Sequence, residues 1–524
     1  MNLVSLLEER AEVHPDRVAF VEGSGERRRS VRFGELRDLT EQAGGQLLRF
    51  GVQPGDGVLF VHPVSIDLYV ALLAVFRMGA VAQFIDPSAK RKVVQQAVKR
   101  LSPRAFFGSP KAHLLRLLHP DVGRISLPLA PASWMPGIHW DLRRSGGIED
   151  ECLPFPCEKE TPGLITFTSG STGEPKAVVR SHGFLLSQYE CLRSSIQLEE
   201  GEVDLITLPV FALANLAAGV TSVLADTDLA RPGRADGPRI GSQLREENVT
   251  RCAASPAFFS ALLRQKTEMI GVQKLFTGGA PVFPPLLDQL SAAAPHARIE
   301  AVYGSTEAEP IAHVSTDEIE SVDREGMKQG RGLLAGMPVT QIRLAILPNE
   351  WGNPLGPFSD REFSEACLSP GTVGEIVVSG GHVLKGYLGG RGDEETKFRV
   401  DDEVWHRTGD LGRLDDEGRL WLLGRASAVM PGGPNGGEEV YPFAVEAALS
   451  FRSEVKRSAL IEQEGRGVLV VEWADDVERA ASEDLKEDVA WAALDEIVTM
   501  AIPMDRRHNA KVDYPALRKC LRKR

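Results

Sequence analysis

Residues 164–176 read LITFTSGSTGEPK. An apolar run, Leu164 to Phe167, empties into a loop of hydroxyl and glycine residues that ends in Lys176. The run predicts a strand, and a strand exit of this composition exposes consecutive backbone N–H groups. Gly170 and Gly173 let the main chain approach an anion, because no side chain stands in the way. Thr168, Ser169, Ser171 and Thr172 add hydroxyl donors and Lys176 adds a positive charge, which together make a triphosphate cradle. The spacing is not G-x-x-x-x-G-K-[ST], so a P-loop kinase or GTPase fold is not implied. The competing reading is a Ser/Gly-rich solvent loop; the preceding strand and the terminal lysine argue against it.

Composition narrows the rest. A chain of 524 residues exceeds one typical domain, and 43% hydrophobic residues suffice for large cores. The formal charge of −13 sets aside a nucleic-acid partner, which would want a basic face. The basic end, RKCLRKR, reads as a solvated terminus. Cys152, Cys157, Cys191, Cys252, Cys367 and Cys520 have no metal-ligand spacing and read as reduced thiols. The first 17 residues predict an amphipathic helix, charged from Glu8 onward, and not a secretory signal. The most apolar helix candidate, Leu68 to Phe84, is interrupted by Arg77 and short for a membrane span. A soluble, cytoplasmic protein with no transmembrane segment is expected, with surface attachment to a membrane left open.

The first half alternates short β-branched runs with helical ones. Strands are expected at 57–61, 80–85, 104–107 and 204–209, and a helix at 66–78. Such alternation implies parallel sheets covered by helices. The run Gly374 to Val378, followed by glycine-rich turns, reads as β-hairpin or small-barrel material. After Gly424-Arg425 and the loop PGGPNGG (431–437) comes a compact α+β pattern. It comprises a helix from Pro442, strands at 458–461 and 467–473, and one long amphipathic helix from Ser482 to Met500. The expected class is therefore a multi-domain α/β protein. A large N-terminal region, 1–425, holds parallel sheets with helices and a small β-barrel-like part; a small, mobile α+β domain, 426–524, follows.

Further segments join the loop. Gly278-Gly279-Ala280 follows a predicted strand, 273–277, and can lie flat against a purine. Tyr303-Gly304-Ser305-Thr306-Glu307 ends another strand. Tyr303 offers a face to a base, Thr306 a hydroxyl to a phosphate, and Glu307 a hard oxygen to Mg²⁺. In RTGD (407–410), Asp410 can accept from two ribose hydroxyls, and Arg425 can grip the same ribose or a phosphate. Lys511 lies in RHNAK, near the end.

TSGSTGEPK, YGSTE, RTGD, the Gly-Arg at 424–425 and the late lysine occur in the order found in the adenylate-forming superfamily, which the chain resembles over nearly its whole length. That superfamily comprises acyl-CoA synthetases, luciferases and peptide-synthetase adenylation domains. The resemblance implies that a carboxylate attacks the α-phosphate of ATP, pyrophosphate leaves, and an acyl-adenylate forms. It assigns Thr168 to Lys176 to the β- and γ-phosphates, and Gly279, Ala280 and Tyr303 to adenine. It assigns Asp410 to ribose, Glu307 to Mg²⁺, and Lys511 to a bridge between carboxylate and α-phosphate. Catalysis then falls to Lys511, Thr306, Glu307 and Lys176. Taken alone, Asp410 reads as a turn aspartate and Lys511 as a tail lysine; their joint order reverses that.

Three positions depart from the common pattern. Ala212, in LPVFALAN, stands where acyl-CoA synthetases usually carry histidine. Ala428 stands at the hinge position, usually Asp or Lys. Ala510 precedes the late lysine where ligases more often have glycine. FALAN, YGSTEAEP and RHNAK resemble the β-lactone synthetases of bacterial long-chain olefin biosynthesis. That resemblance implies a 2-alkyl-3-hydroxy fatty acid whose own hydroxyl attacks the acyl-adenylate, without CoA. It also implies three neighbouring enzymes: a thiolase-like condensing enzyme, a reductase and a β-lactone decarboxylase. Phe211, Ala212 and Leu213 read either as a wall for the alkyl chain or as a buried core helix. Glu309 or His313, placed on the exit of the Tyr303 strand, reads as the group that deprotonates or orients the hydroxyl. His182 reads as a support of the phosphate loop. The alternatives kept open are a long-chain acyl-CoA or acyl-carrier ligase, and a nucleotide-binding protein without catalysis.

Overall fold

The computed structural model describes residues 2–85, 91–131, 152–167, 176–430, 439–474, 482–492, 494–505 and 511–523. The phosphate-loop residues Thr168 to Gly173, the glycine-rich loop 431–437 and Ala510 lie outside them. The chain divides into two compact units, 1–226 with 386–393, and 227–385 with 394–524.

In the first unit a six-stranded sheet runs Leu127–Leu129, Ala105–Gly108, Gly57–Val61, Val81–Phe84, Pro162–Phe167, Ala177–Ser181. All neighbours are parallel except the last pair. Val58, Leu59 and Phe60 are consecutive and all buried, because helices cover both faces of a parallel sheet. The Ile66–Arg77 helix starts where the Ser65 hydroxyl accepts from Leu68 N at 3.2 Å. It is buried along its whole length. Arg77 is tolerated there because its guanidinium donates to the Cys152 carbonyl and pairs with Glu8 and Glu41. The unit's other strands run Val203–Ile206, Thr221–Leu224, Val18–Glu22, Arg29–Arg32. No described helix is long and apolar enough to cross a membrane.

The second unit opens with three parallel strands, Arg251–Ala254, Lys274–Gly278 and Arg298–Ser305. The sheet then turns antiparallel through Ala308–Ser315, Leu333–Pro338, Leu420–Arg425, Glu403–Leu414, Gly374–Gly380 and Ile342–Leu347. A separate sheet orders Val455–Gln463, Arg466–Trp473 and Glu496–Thr499. Its side chains alternate strictly. Leu460, Leu469 and Val471 enter one core with the Pro442–Ser450 helix. Ala459, Ile461, Val468 and Val470 enter a second with the Tyr514–Leu521 helix.

One expectation from the sequence is corrected here. The stretch 482–500 is not a single helix. It is a helix, Ser482–Asp488, a short 3₁₀ turn, Ala490–Ala492, and a strand, Glu496–Thr499, parallel to Arg466–Trp473. Ile497 packs into one core and Val498 into the other, which is the period of a strand and overrides the helical pattern.

Glu446, on the Pro442–Ser450 helix, is buried in this part. Its Oε1 accepts from Leu460 N at 3.3 Å and from the Tyr514 hydroxyl at 3.2 Å. Burial pushes its carboxyl up to about 8. A pKa raised on folding stabilises fully below the unfolded value and loses that contribution as pH rises through the folded value. The expected outcome is a thermal midpoint that falls from pH 5 to about pH 8, with a slope of up to roughly 1.4 kcal/mol per pH unit. Glu446→Gln should flatten that slope in thermal scans taken across the same range.

Candidate active site

The Arg298–Ser305 strand delivers Tyr303 to its end, and the chain turns at Thr306-Glu307 into Ala308–Ser315. The Tyr303 hydroxyl donates to Asp410 Oδ2 at 2.8 Å. Burial, then the Asp410 charge, push the phenol well above its ordinary range, so it stays a donor. Asp410 lies opposite Arg425 in the register of their two strands. Arg425 Nε meets Asp410 Oδ1 at 3.2 Å, and its Nη1 donates to the Thr408 carbonyl at 2.9 Å. The Asp410 charge raises the Arg425 pKa further. One carboxylate is thus gripped from two sides, with a lone pair on each oxygen left for a further donor.

The rest of the RTGD segment aims that carboxylate. Arg407 is buried the other way, with Nη2 2.6 Å and Nε 3.0 Å from the Glu375 carboxylate and Nη1 donating to the Asn353 carbonyl at 2.6 Å. Its guanidinium stacks over Trp351 at 5.3 Å. The Thr408 hydroxyl donates to the Ile376 carbonyl at 2.9 Å and accepts from Asp410 N at 3.0 Å. Gly409 has φ +69°, and a Cβ there would meet the Trp351 ring at 2.8 Å, so only glycine fits.

Gly278 pairs with Val302, and a Cβ on Gly278 would meet the Val302 carbonyl oxygen at 2.5 Å. That close approach sets the Gly278-Gly279-Ala280 turn beside Tyr303. Glu307 is half-buried and Thr306 exposed. The Glu307 main chain is held at both ends, its N–H donating to Ser305 Oγ at 3.3 Å and its carbonyl accepting from Leu384 N at 2.7 Å. No group of three or more His, Cys, Asp or Glu among the described residues has a metal-holding arrangement.

Lys511 reaches the same cluster. Its backbone N–H donates to Asp505 Oδ1 at 2.9 Å, and its carbonyl accepts from Asp505 N at 2.7 Å. The residue as a whole is exposed, and surrounding protein partly desolvates its ammonium. That desolvation and the Arg425 charge hold its pKa below the usual range, while Asp410, Asp505 and Glu307 oppose the shift.

The remaining predicted residues need separate placement. His313 is not on the exit of the Tyr303 strand but on the antiparallel neighbour, opposite Val302, with Nδ1 3.1 Å from Glu300 Oε2. Alternation puts Glu300, Val302 and His313 on the face away from Tyr303. Glu309, also on the second strand, lies along Gly304, where a Cβ would meet its Cγ at 3.4 Å. In the first unit, Lys176 is buried with Nζ over the Tyr387 ring at 5.4 Å and against Gly392. Phe211, Ala212 and Leu213 begin the Phe211–Ala218 helix, which is buried except for half-exposed Leu213. Beneath it Asn215 Nδ2 donates to Asp204 Oδ2 at 2.9 Å. His182 is buried, its Nδ1 accepting from Leu3 N at 3.1 Å, and burial pushes its pKa down to about 4. Its described contacts support the N-terminal segment. Sequence reasoning missed Glu375, Trp351, Asp505, Tyr387 and Gly392. A charged residue three positions before a site aspartate, in the same strand, was the available signal for Arg407 and its partner.

The chain also matches known proteins. Residues 7–388 match the family described as AMP-binding enzyme, and the chain belongs to that family. It is an adenylate-forming ligase, a class that uses ATP. It is 30% identical to the olefin beta-lactone synthetase of Stenotrophomonas maltophilia, over 98% of this chain and 96% of the relative. It is 28% identical to the protein of the same name from Xanthomonas campestris, over 92% and 89%. Among solved structures, ATP-bound MatB from Rhodopseudomonas palustris superimposes with a TM-score of 0.80 at 20% identity, covering 99% of each chain, a likeness of fold.

Two expectations follow from the geometry. Tyr303→Phe removes one hydrogen bond to a charged group, so ATP–pyrophosphate exchange should fall about tenfold, with the larger loss in Asp410→Asn. Arg407→Met strands a buried carboxylate and should cost about 3–5 kcal/mol in denaturant unfolding, against a smaller loss in Arg425→Met, whose side chain is 47% exposed.

Proposed function

We propose that the protein activates a 2-alkyl-3-hydroxy fatty acid as its acyl-adenylate and closes it to a β-lactone, releasing pyrophosphate and AMP. The observation that carries the adenylation half is the Asp410 carboxylate held between the Tyr303 hydroxyl and the Arg425 guanidinium, at the end of the strand that turns at Thr306-Glu307. In this reading Asp410 and Arg425 take the ribose, Tyr303 and the Gly278–Ala280 turn the adenine, and Thr168 to Gly173 with Lys176 the phosphates. Glu307 holds Mg²⁺, which neutralises charge on the phosphate oxygens. Lys511 and Thr306 stabilise the α-phosphate as a carboxylate oxygen bonds to phosphorus and the bond to pyrophosphate breaks.

In the second step the substrate's 3-hydroxyl oxygen attacks the acyl carbon, AMP leaves with the bonding pair, and the four-membered ring closes. Nucleophile and electrophile share one molecule, so no thiol is needed. Glu309, on the strand that follows the Thr306-Glu307 turn, accepts the hydroxyl proton. Three features support this half: the two near full-length relatives, the fully buried Ala212 in place of a histidine, and Ala428 at the hinge position. The lactone then requires a thiolase-like condensing enzyme and a reductase to supply the hydroxy acid, and a decarboxylase to consume the product.

The test is mass spectrometry of products from ATP, Mg²⁺ and a long-chain 2-alkyl-3-hydroxy acid, with and without CoA. β-Lactone in equal amount under both conditions is expected; acyl-CoA as the main product overturns the reading in favour of a ligase. Lys511→Ala should lower ATP–pyrophosphate exchange by roughly 10²–10³.

A further inference from the structure

The chain as a whole carries a formal charge of −13, yet between 91 and 131 it has eight lysines and arginines against one acidic residue, Asp121. The Arg91–Leu101 and Pro110–Leu118 helices lie in this stretch. Val94, Val98 and Leu101 of the first and Ala112 of the second enter one core with Leu59 and Phe106 of the sheet. Both helices therefore cover the same side of the six-stranded sheet, and their other faces look outward together.

Those outward faces are basic and partly apolar. Arg91, Lys92 and Lys99 are exposed on the first helix, with Lys92 and Lys99 seven residues apart on one stripe. Lys111, Leu114 and Leu118 are exposed on the second, at the i, i+3, i+7 spacing of one stripe. Leu114 and Leu118 are 55% and 65% exposed and lie one turn apart, so they form a small apolar patch beside Lys111. Other basic residues here are engaged within the protein: Arg100 donates to the Leu388 carbonyl, Arg104 to Ser126 Oγ, and Arg124 pairs with Asp121.

We propose that this face docks on an anionic phospholipid bilayer. The lysines meet the headgroup charge, and Leu114 and Leu118 enter the boundary between headgroups and acyl chains. Charge selects this occupant: a positive face on an acidic protein is drawn to a negative surface and repelled elsewhere. The two leucines select a bilayer over a nucleic acid, which offers no apolar layer to receive them. The inference stands independently of which product the enzyme makes.

The experiment is co-sedimentation of the full chain with phosphatidylcholine vesicles, with and without phosphatidylglycerol, at low and high salt. Binding is expected with the anionic lipid only and should weaken with salt. Lys92→Glu with Lys99→Glu and Lys111→Glu should abolish it, since each lysine neutralised near such a surface weakens binding about fivefold. Leu114→Ser with Leu118→Ser should weaken it several-fold, with ATP–pyrophosphate exchange on a detergent-dispersed acid unchanged in both variants. Absence of sedimentation, binding indifferent to lipid charge, binding unaltered in either variant, or retention on duplex DNA without vesicle binding each overturns the proposal.

Discussion

The Asp410 carboxylate, held between the Tyr303 hydroxyl and the Arg425 guanidinium, organises the site. Three strands must be in register for those side chains to meet. Tyr303 comes from the last residues of the parallel part of its sheet, and Asp410 and Arg425 from the antiparallel part. Hydrogen bonds to a charged acceptor contribute about 1.5–3 kcal/mol each, enough to fix one rotamer. A carboxylate so held can accept further hydrogen bonds without reorganising, and preorganised polar groups of this kind are the main resource of an enzyme site.

The segment carrying Asp410 works in both directions. Arg407 points into the protein and neutralises the otherwise buried Glu375, while Asp410, three residues on, points to the site. The inward pair leaves no uncompensated charge only while both partners are present. Lys511 follows the same logic by other means. Its main chain is closed against Asp505, and three residues later Tyr514 is tied to Glu446 in the core of the small sheet. A long, flexible side chain is thereby given a fixed root.

Much of this was legible in the linear text. Motif order identified the enzyme class, because phosphate, ribose and metal chemistry require particular residue types close to particular glycines. Short β-branched runs located the strand at 57–61 and, through the run 374–378, the strand Gly374–Gly380. The failure at 482–500 has a definite cause: an amphipathic pattern there admits a helix, and only the edge of the Arg466–Trp473 strand, available for pairing, makes Glu496–Thr499 extended. Glu309 and His313 were misplaced because the Thr306-Glu307 turn reverses the chain, so both fall on the antiparallel neighbour of the Tyr303 strand.

The sequence by itself determined the enzyme class, through glycines where backbone must come close and polar and charged residues in a fixed order. Only the tertiary structure decided who touches whom. The pairing of Tyr303 with Asp410, the burial of Arg407 on Glu375 and the seating of Lys176 on Tyr387 each join residues far apart in the chain. Local propensity acts over a few residues, whereas strand register and shared burial act through space, and no pattern along the chain encodes a distance across it.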